Sequence, residues 1–255
     1  MLGNTNNPTG HDDDLDLFFE GKAGKVTVRT PGSVNYFPRY PQPVIVDIPY
    51  ASKLKDGLFT ANSVTKVTMP NVSGILSRTF VSCSMLREIT GDKVGATINA
   101  FSGCTSLTTV NLPECYTIER EFTDCTALSE ISLPKLETIY TGFWGCTSLT
   151  TVNFPKCSMI EYAFMECTAL EEITLPSLSE IFASAFSGCV RLISLYLPGS
   201  SVAALGLSAF ASTPIGGYSK VAGRYGSVFV PASLVSAYKS APRWSSIASR
   251  ITALP

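Results

Sequence analysis

Phe101-Ser-Gly-Cys104-Thr-Ser-Leu-Thr-Thr-Val-Asn-Leu-Pro113 returns as Phe122-Thr-Asp-Cys125-Thr-Ala-Leu-Ser-Glu-Ile-Ser-Leu-Pro134. It returns again as Phe143-Trp-Gly-Cys146-Thr-Ser-Leu-Thr-Thr-Val-Asn-Phe-Pro155 and Phe164-Met-Glu-Cys167-Thr-Ala-Leu-Glu-Glu-Ile-Thr-Leu-Pro176. Phe186/Cys189 and Phe80/Cys83 extend the series at either end, and the cysteines from Cys104 to Cys189 are 21, 21, 21 and 22 residues apart. A fixed period of this length, with Leu-x-x-Leu-x-Leu spacing inside it, predicts a solenoid with one short strand per turn.

Counted from each cysteine, apolar residues fall at +3 (Leu107, Leu128, Leu149, Leu170), +6 (Val110, Ile131, Val152, Ile173) and +8 (Leu112, Leu133, Phe154, Leu175). The period of two between +6 and +8 predicts a half-buried strand. Proline at +9 stops it, because proline has no N–H for a ladder. A second apolar pair follows at +11 (Leu136, Leu178) and +14 (Ile118, Ile139, Ile160, Ile181). A single turn cannot bury this apolar side alone, so the turns must stack, and function is left to the polar positions outside.

The chain has 255 residues, net charge −1, 45% hydrophobic and 15% charged residues. That is a globular composition, and the near-neutral balance argues against holding a polyanion such as nucleic acid. No apolar run is long enough to insert in a membrane. The stretch Met1–Asp14 has neither a basic nor an apolar region of the kind that starts a secretion signal.

Six of the eight cysteines (Cys83, Cys104, Cys125, Cys146, Cys167, Cys189) share one place in the repeat, and Thr213 takes it in the next turn. Cys115 and Cys157 stand at +11, where neighbouring turns have leucine, so that position asks for a buried apolar group. Stacked turns lie close enough for disulfides, yet a cysteine row set by the repeat needs no pairing, and free buried thiols are expected. Cysteine and histidine do not group as metal ligands do.

Three parts are expected. Residues 1–42 hold an Asn-, Asp- and Gly-rich opening followed by capping strands, with Lys25–Arg29 and Val34–Phe37 reading as a small hairpin or strand pair over the first turn. Residues 43–213 are the solenoid, beginning with degenerate turns at Val44–Pro49 and Val64–Pro70. Residues 214–255 hold a loop, a last strand at Ser227–Pro231 and a helical cap. In that cap Leu234, Val235, Tyr238, Trp244, Ile247 and Ile251 form an apolar face, Pro242 divides the helix, and Trp244 plugs the open end. About eight to nine strands in one parallel sheet are expected, with irregular or 3-10 backbone on the other side of each turn.

The motif Thr-Ser-Leu-Thr-Thr-Val-Asn-Leu-Pro with Ala185-Phe186-Ser-Gly-Cys189 resembles the BspA-like (Treponema pallidum type) bacterial leucine-rich repeat family. The ending Ser212-Thr-Pro-Ile…Val228-Phe-Val-Pro-Ala-Ser-Leu-Val-Ser-Ala-Tyr-Lys239…Trp244 is similar to the terminal segment of such proteins in Firmicutes and their prophages. Together these cover about residues 43 to 255. The resemblance implies a curved right-handed coil, adhesion or another protein- or host-cell-binding role, and an extracellular, cell-surface or virion-associated setting.

Chemistry finds little support. His11 is the only histidine, which removes nearly all triads and most zinc sites. Asp12, Asp13, Asp14 and Asp16 beside it lack the spacing of a calcium loop. Ser63-x-x-Lys66 and Ser236-x-x-Lys239 lack the companion motifs of a serine–lysine enzyme. No catalytic residue, cofactor or metal site is therefore expected. What remains is the outward face of the strands: Glu88, Thr109/Asn111, Glu130/Ser132, Thr151/Asn153, Glu172/Thr174 and Tyr196. Thr-x-Asn and Glu-x-Ser/Thr alternate there, which puts a carboxylate on every second rung. A second candidate is the group Tyr140, Trp144, Tyr162 and Met165, in which Trp144 and Met165 follow the core phenylalanine where other turns have Ser102, Thr123 and Ser187. The function expected is a non-enzymatic protein- or glycan-binding solenoid. The alternative is a structural component of a phage tail or similar assembly, docked or self-associated through residues 1–42.

Overall fold

The computed structural model describes residues 17–20 and 24–255, and of 17–20 it describes the backbone. His11 and the neighbouring aspartates lie outside the described residues. The turns stack as the repeat demands, and Leu107, Leu128, Leu149 and Leu170 are all fully buried in one continuous core. A first ladder of parallel strands runs through Lys25–Val28, Val44–Asp47, Val64–Thr68, Glu88–Thr90, Thr109–Asn111, Glu130–Ser132, Thr151–Asn153, Glu172–Thr174, Ser194–Tyr196, Ser227–Val230 and Ile251–Ala253. Its hydrogen-bonded pairing is interrupted between Thr109–Asn111 and Glu130–Ser132 and again between Thr151–Asn153 and Glu172–Thr174. Glu130–Ser132 and Thr151–Asn153 are therefore paired with each other alone, between longer sheets on either side.

Three expectations change. Where irregular backbone was expected there is a second parallel sheet of 7 strands, from Ser73–Ser77 through Thr117–Glu119, Thr138–Tyr140 and Met159–Glu161 to Ala204–Leu205. The three central strands, Thr117–Glu119, Thr138–Tyr140 and Met159–Glu161, each turn one buried isoleucine (Ile118, Ile139, Ile160) inward between two flanking residues, so stacked turns bring the +14 positions into register. Lys25–Val28 and Gly32–Val34 do not make a hairpin. The first joins Val44–Asp47 and the second joins Ala51–Leu54, both in parallel, so each already serves as a solenoid rung. Ile251 does not sit on a helix face: Val228 pairs with it and draws the chain back into the first ladder.

The phenylalanine and cysteine columns explain why the beat is so strict. From Phe59 through Phe80, Phe101, Phe122, Phe143, Phe164 and Phe186 to Phe210 the rings stack at centroid distances of 5.1 to 5.7 Å. All eight thiols are free and buried. In the repeat column each thiol donates to a phenylalanine carbonyl of the preceding turn: Cys104 to Phe80 at 3.1 Å, Cys125 to Phe101 at 3.2 Å, Cys146 to Phe122 at 3.0 Å. A carbonyl has two lone pairs, and the second goes to a backbone N–H of its own turn, as Cys104 N does to Phe101 O. Cysteine fits because it is small, apolar and still a donor. Asn62 performs the same task one turn before Cys83, its side chain reaching Pro38 O at 3.0 Å. Thr213 occupies the position but bonds Phe210 O within its own turn.

Each turn also needs two left-handed corners. One lies just before the cysteine, at Ser82, Gly103, Asp124, Gly145, Glu166 and Gly188, all with positive φ. At Gly145 a side chain would run into Asp124 on the preceding rung, so glycine and non-glycine residues alternate along this edge. The C-terminal end is closed as expected. Trp244 is buried against Phe210 and bonds Ala203 O through Nε1 at 2.7 Å, while the Tyr238 hydroxyl accepts Ala203 N at 3.0 Å.

Candidate functional site: the two walls of the coil

The outward residues of the first ladder form two parallel columns. One runs Lys66, Glu88, Thr109 and then Glu130, Thr151, Glu172, Ser194; the other runs Thr68, Thr90, Asn111 and then Ser132, Asn153, Thr174, Tyr196. Thr109, Asn111, Glu130, Ser132, Thr151, Asn153, Glu172 and Thr174 are exposed, so the alternation seen in the sequence stands on one face. The carboxylates differ in company. Glu88 is paired with Lys66 at 2.6 Å. Glu130 and Glu172 have no ion pair among the described residues, and at two rungs of about 4.8 Å they stand about 10 Å apart. Neighbouring rungs hold one another in place, as where Asn153 Nδ2 donates to Ser132 Oγ at 3.0 Å. Tyr196 is half-buried and stacks on Phe229 at 4.7 Å, which ends the polar strip in an aromatic pair that sequence reading had not joined.

The aromatic candidates lie on the second ladder and its edge. Tyr140, Trp144 and Tyr162 are 40%, 41% and 39% exposed, and Met165 is half-buried, so these side chains do not fold back over the core. Phe182 is likewise 39% exposed, and the Tyr140 hydroxyl lies 3.6 Å from the Met159 sulfur. Phe182 carries a sequence signal: it falls in the column of Tyr140, 42 positions on.

One inward group was not anticipated. Glu121 is fully buried at the place before phenylalanine that Ala100, Gly142, Ala163 and Ala185 fill elsewhere. Its carboxyl takes the Ala100 N–H through both oxygens, at 3.1 and 3.2 Å. Thr97, which stands in the isoleucine column one turn earlier, faces the carboxyl without reaching good hydrogen-bond geometry. Removal from water pushes the Glu121 pKa up to about 8. Burial first, and the Glu121 charge second, push the Cys115 thiol up to about 12. Two column breakers one turn apart, Thr97 and Glu121, were the available signal. Such thiols are not poised nucleophiles, and among the described residues no group of acidic, cysteine or histidine side chains could hold a metal.

A family model described as BspA type leucine rich repeat region matches this chain in 6 copies, over residues 52–161 and 143–216. Among solved structures, a leucine rich cell surface protein from Faecalibacterium prausnitzii A2-165 is 20% identical over 96% of this chain and 77% of its own, with a TM-score of 0.49. The leucine rich repeat protein of T. pallidum is 20% identical over 78% of this chain and 86% of its own, with a TM-score of 0.44. A leucine-rich repeat protein from Bacteroides ovatus ATCC 8483 is 17% identical over 96% and 99%, with a TM-score of 0.36. A search of curated proteins finds no match.

Proposed function

This chain belongs to the BspA-type leucine-rich repeat family, and from that premise we propose that it is a non-enzymatic, adhesion-type binding solenoid whose first wall receives a protein segment bearing basic side chains. The observation that carries this reading is the unpaired state of Glu130 and Glu172 on an exposed strip of hydroxyls and amides. A lysine or arginine arriving there neutralises a carboxylate that the fold leaves unmatched, whereas Glu88 is already matched by Lys66. The setting we propose is the cell surface, in keeping with the description of the F. prausnitzii protein. Among the described residues no helix is long and apolar enough to cross a membrane.

The test is a titration of the intact chain with a lysine- and arginine-bearing peptide at low and at physiological salt. Glu130→Lys with Glu172→Lys should leave the unfolding transition in place, since both residues are exposed, and should weaken binding roughly tenfold or more. Unchanged affinity in that double variant would remove the first wall as the binding face.

A further inference from the structure

The second wall carries a different pattern. Its outward column reads Ile98, Glu119, Tyr140, Glu161, with Ile98 beside Glu119, Glu119 beside Tyr140 and Tyr140 beside Glu161. Phe182 follows, one position beyond the Ile160–Ile181 pair, with its N–H bonded to Ile160 O. Apolar and acidic side chains therefore alternate rung by rung, and Ile98, Tyr140 and Phe182 recur every second rung, about 10 Å apart. Trp144 and Tyr162 are exposed as well.

What could cover such a face is constrained by its carboxylates. Neither Glu119 nor Glu161 has an ion pair among the described residues, so a dry apolar partner or a lipid layer would strip both of water without compensation. A second copy docked about a two-fold axis through Tyr140 would set Glu119 against the other copy's Glu161, like charge to like charge. A saccharide meets both demands. The C–H face of a pyranose ring packs on an aromatic ring, and its hydroxyls donate to carboxylates that stay hydrogen-bonded throughout. In an extended β-1,4-linked glycan, alternate sugars present the same face at a repeat close to that of two solenoid rungs.

We propose that the second wall is a glycan-binding face, with Tyr140 and Phe182 stacking on alternate sugars of an extended β-1,4-linked chain and Glu119 and Glu161 accepting hydroxyls between them. The site is separate from the first wall and does not depend on what binds there.

Native affinity electrophoresis of the intact chain through gels containing hydroxyethyl cellulose, with dextran gels as the α-linked control, tests this. The wild-type chain should be retarded by hydroxyethyl cellulose and not by dextran. Tyr140→Ala with Phe182→Ala should weaken retardation roughly tenfold while the chain still folds, as read by circular dichroism at the gel temperature, and still binds the basic peptide. Glu119→Ala with Glu161→Ala should weaken it without loss of any ring. Glu130→Lys with Glu172→Lys should leave it intact, which separates failure of this site from failure of the first-wall reading. Absence of retardation in the wild-type chain, equal retardation by dextran, or unchanged retardation in the Tyr140/Phe182 variant would overturn the proposal. So would a wild-type dimer that the same variant dissolves, since that would assign the face to a second copy.

Discussion

The two walls of this coil are made by the same twenty-one-residue beat and enclose the same core, yet they are built differently. In the first wall the inward column alternates valine and isoleucine. Val110 and Val152 are only partly buried, and the ladder loosens beside them. In the second wall Ile118, Ile139 and Ile160 are fully buried in an unbroken sheet. The outward faces differ in the opposite sense, polar and regular on the first and aromatic on the second. Burial and surface character are thus distributed separately: the wall with the tighter inward column carries the rougher surface. The difference should show first in stability. Ile139→Ala is expected to cost about 2–5 kcal/mol, as large-to-small changes at closed sites do. Val152→Ala should cost roughly 1–2 kcal/mol, because fewer atoms are removed and water already reaches part of the site. Urea unfolding of the two variants gives the comparison, and equal losses would erase the distinction.

The second wall also borders the carboxyl that makes its core sensitive to pH. Glu121 holds its proton in the folded chain up to about pH 8, against a reference value of 4.5 for the unfolded chain. Between those values the folded state binds the extra proton. Stability is therefore full below the lower pKa, falls as pH rises through the window, and levels off above the upper one. The slope approaches about 1.4 kcal/mol per pH unit where the difference is one whole proton. Glu121→Gln keeps a neutral acceptor for the Ala100 N–H and has nothing to titrate, so its stability should be flatter from pH 5 to 8 and exceed wild type at the alkaline end. The readout is the urea midpoint of both chains across that range, and parallel curves would show that Glu121 is not the titrating group.

How much of this could be read beforehand differs between the walls for a physical reason. Along Val110-Asn-Leu112 or Ile131-Ser-Leu133 the apolar alternation is visible, and proline marks the stop, so the first wall and its outward residues were legible. A second-wall strand such as Thr117-Ile-Glu119 or Met159-Ile-Glu161 offers one inward residue, and one residue has no period. Only the stacking of turns makes it a strand. Lys25–Val28 was legible as a strand but not as a solenoid rung, and Ile251–Ala253 was read as helix, because both stand outside the cysteine-marked repeat and are recruited by the edge of the neighbouring strand. Glu121 and Thr97 stood in plain view as departures from their columns, but a departure from a column shows where a residue is, not whether its carboxyl is dry.

The smallest expected effect bears on the first wall alone. The Lys66–Glu88 pair is about two-fifths exposed on both sides, and pairs of that kind contribute roughly 0–1 kcal/mol once solvent screening and side-chain ordering are counted. Lys66→Met should therefore change the unfolding midpoint little. Its effect on recognition should be larger than its effect on stability, because it releases Glu88 and lengthens the row of unmatched carboxylates from Glu130 and Glu172 to three, still spaced two rungs apart. The variant should bind the basic peptide more tightly than wild type at low salt, with the gain shrinking as salt is raised. If the variant's affinity equals that of wild type at both salt concentrations, the ligand does not extend to the Glu88 rung, and the proposed binding strip on the first wall is confined to the turns that hold Glu130 and Glu172.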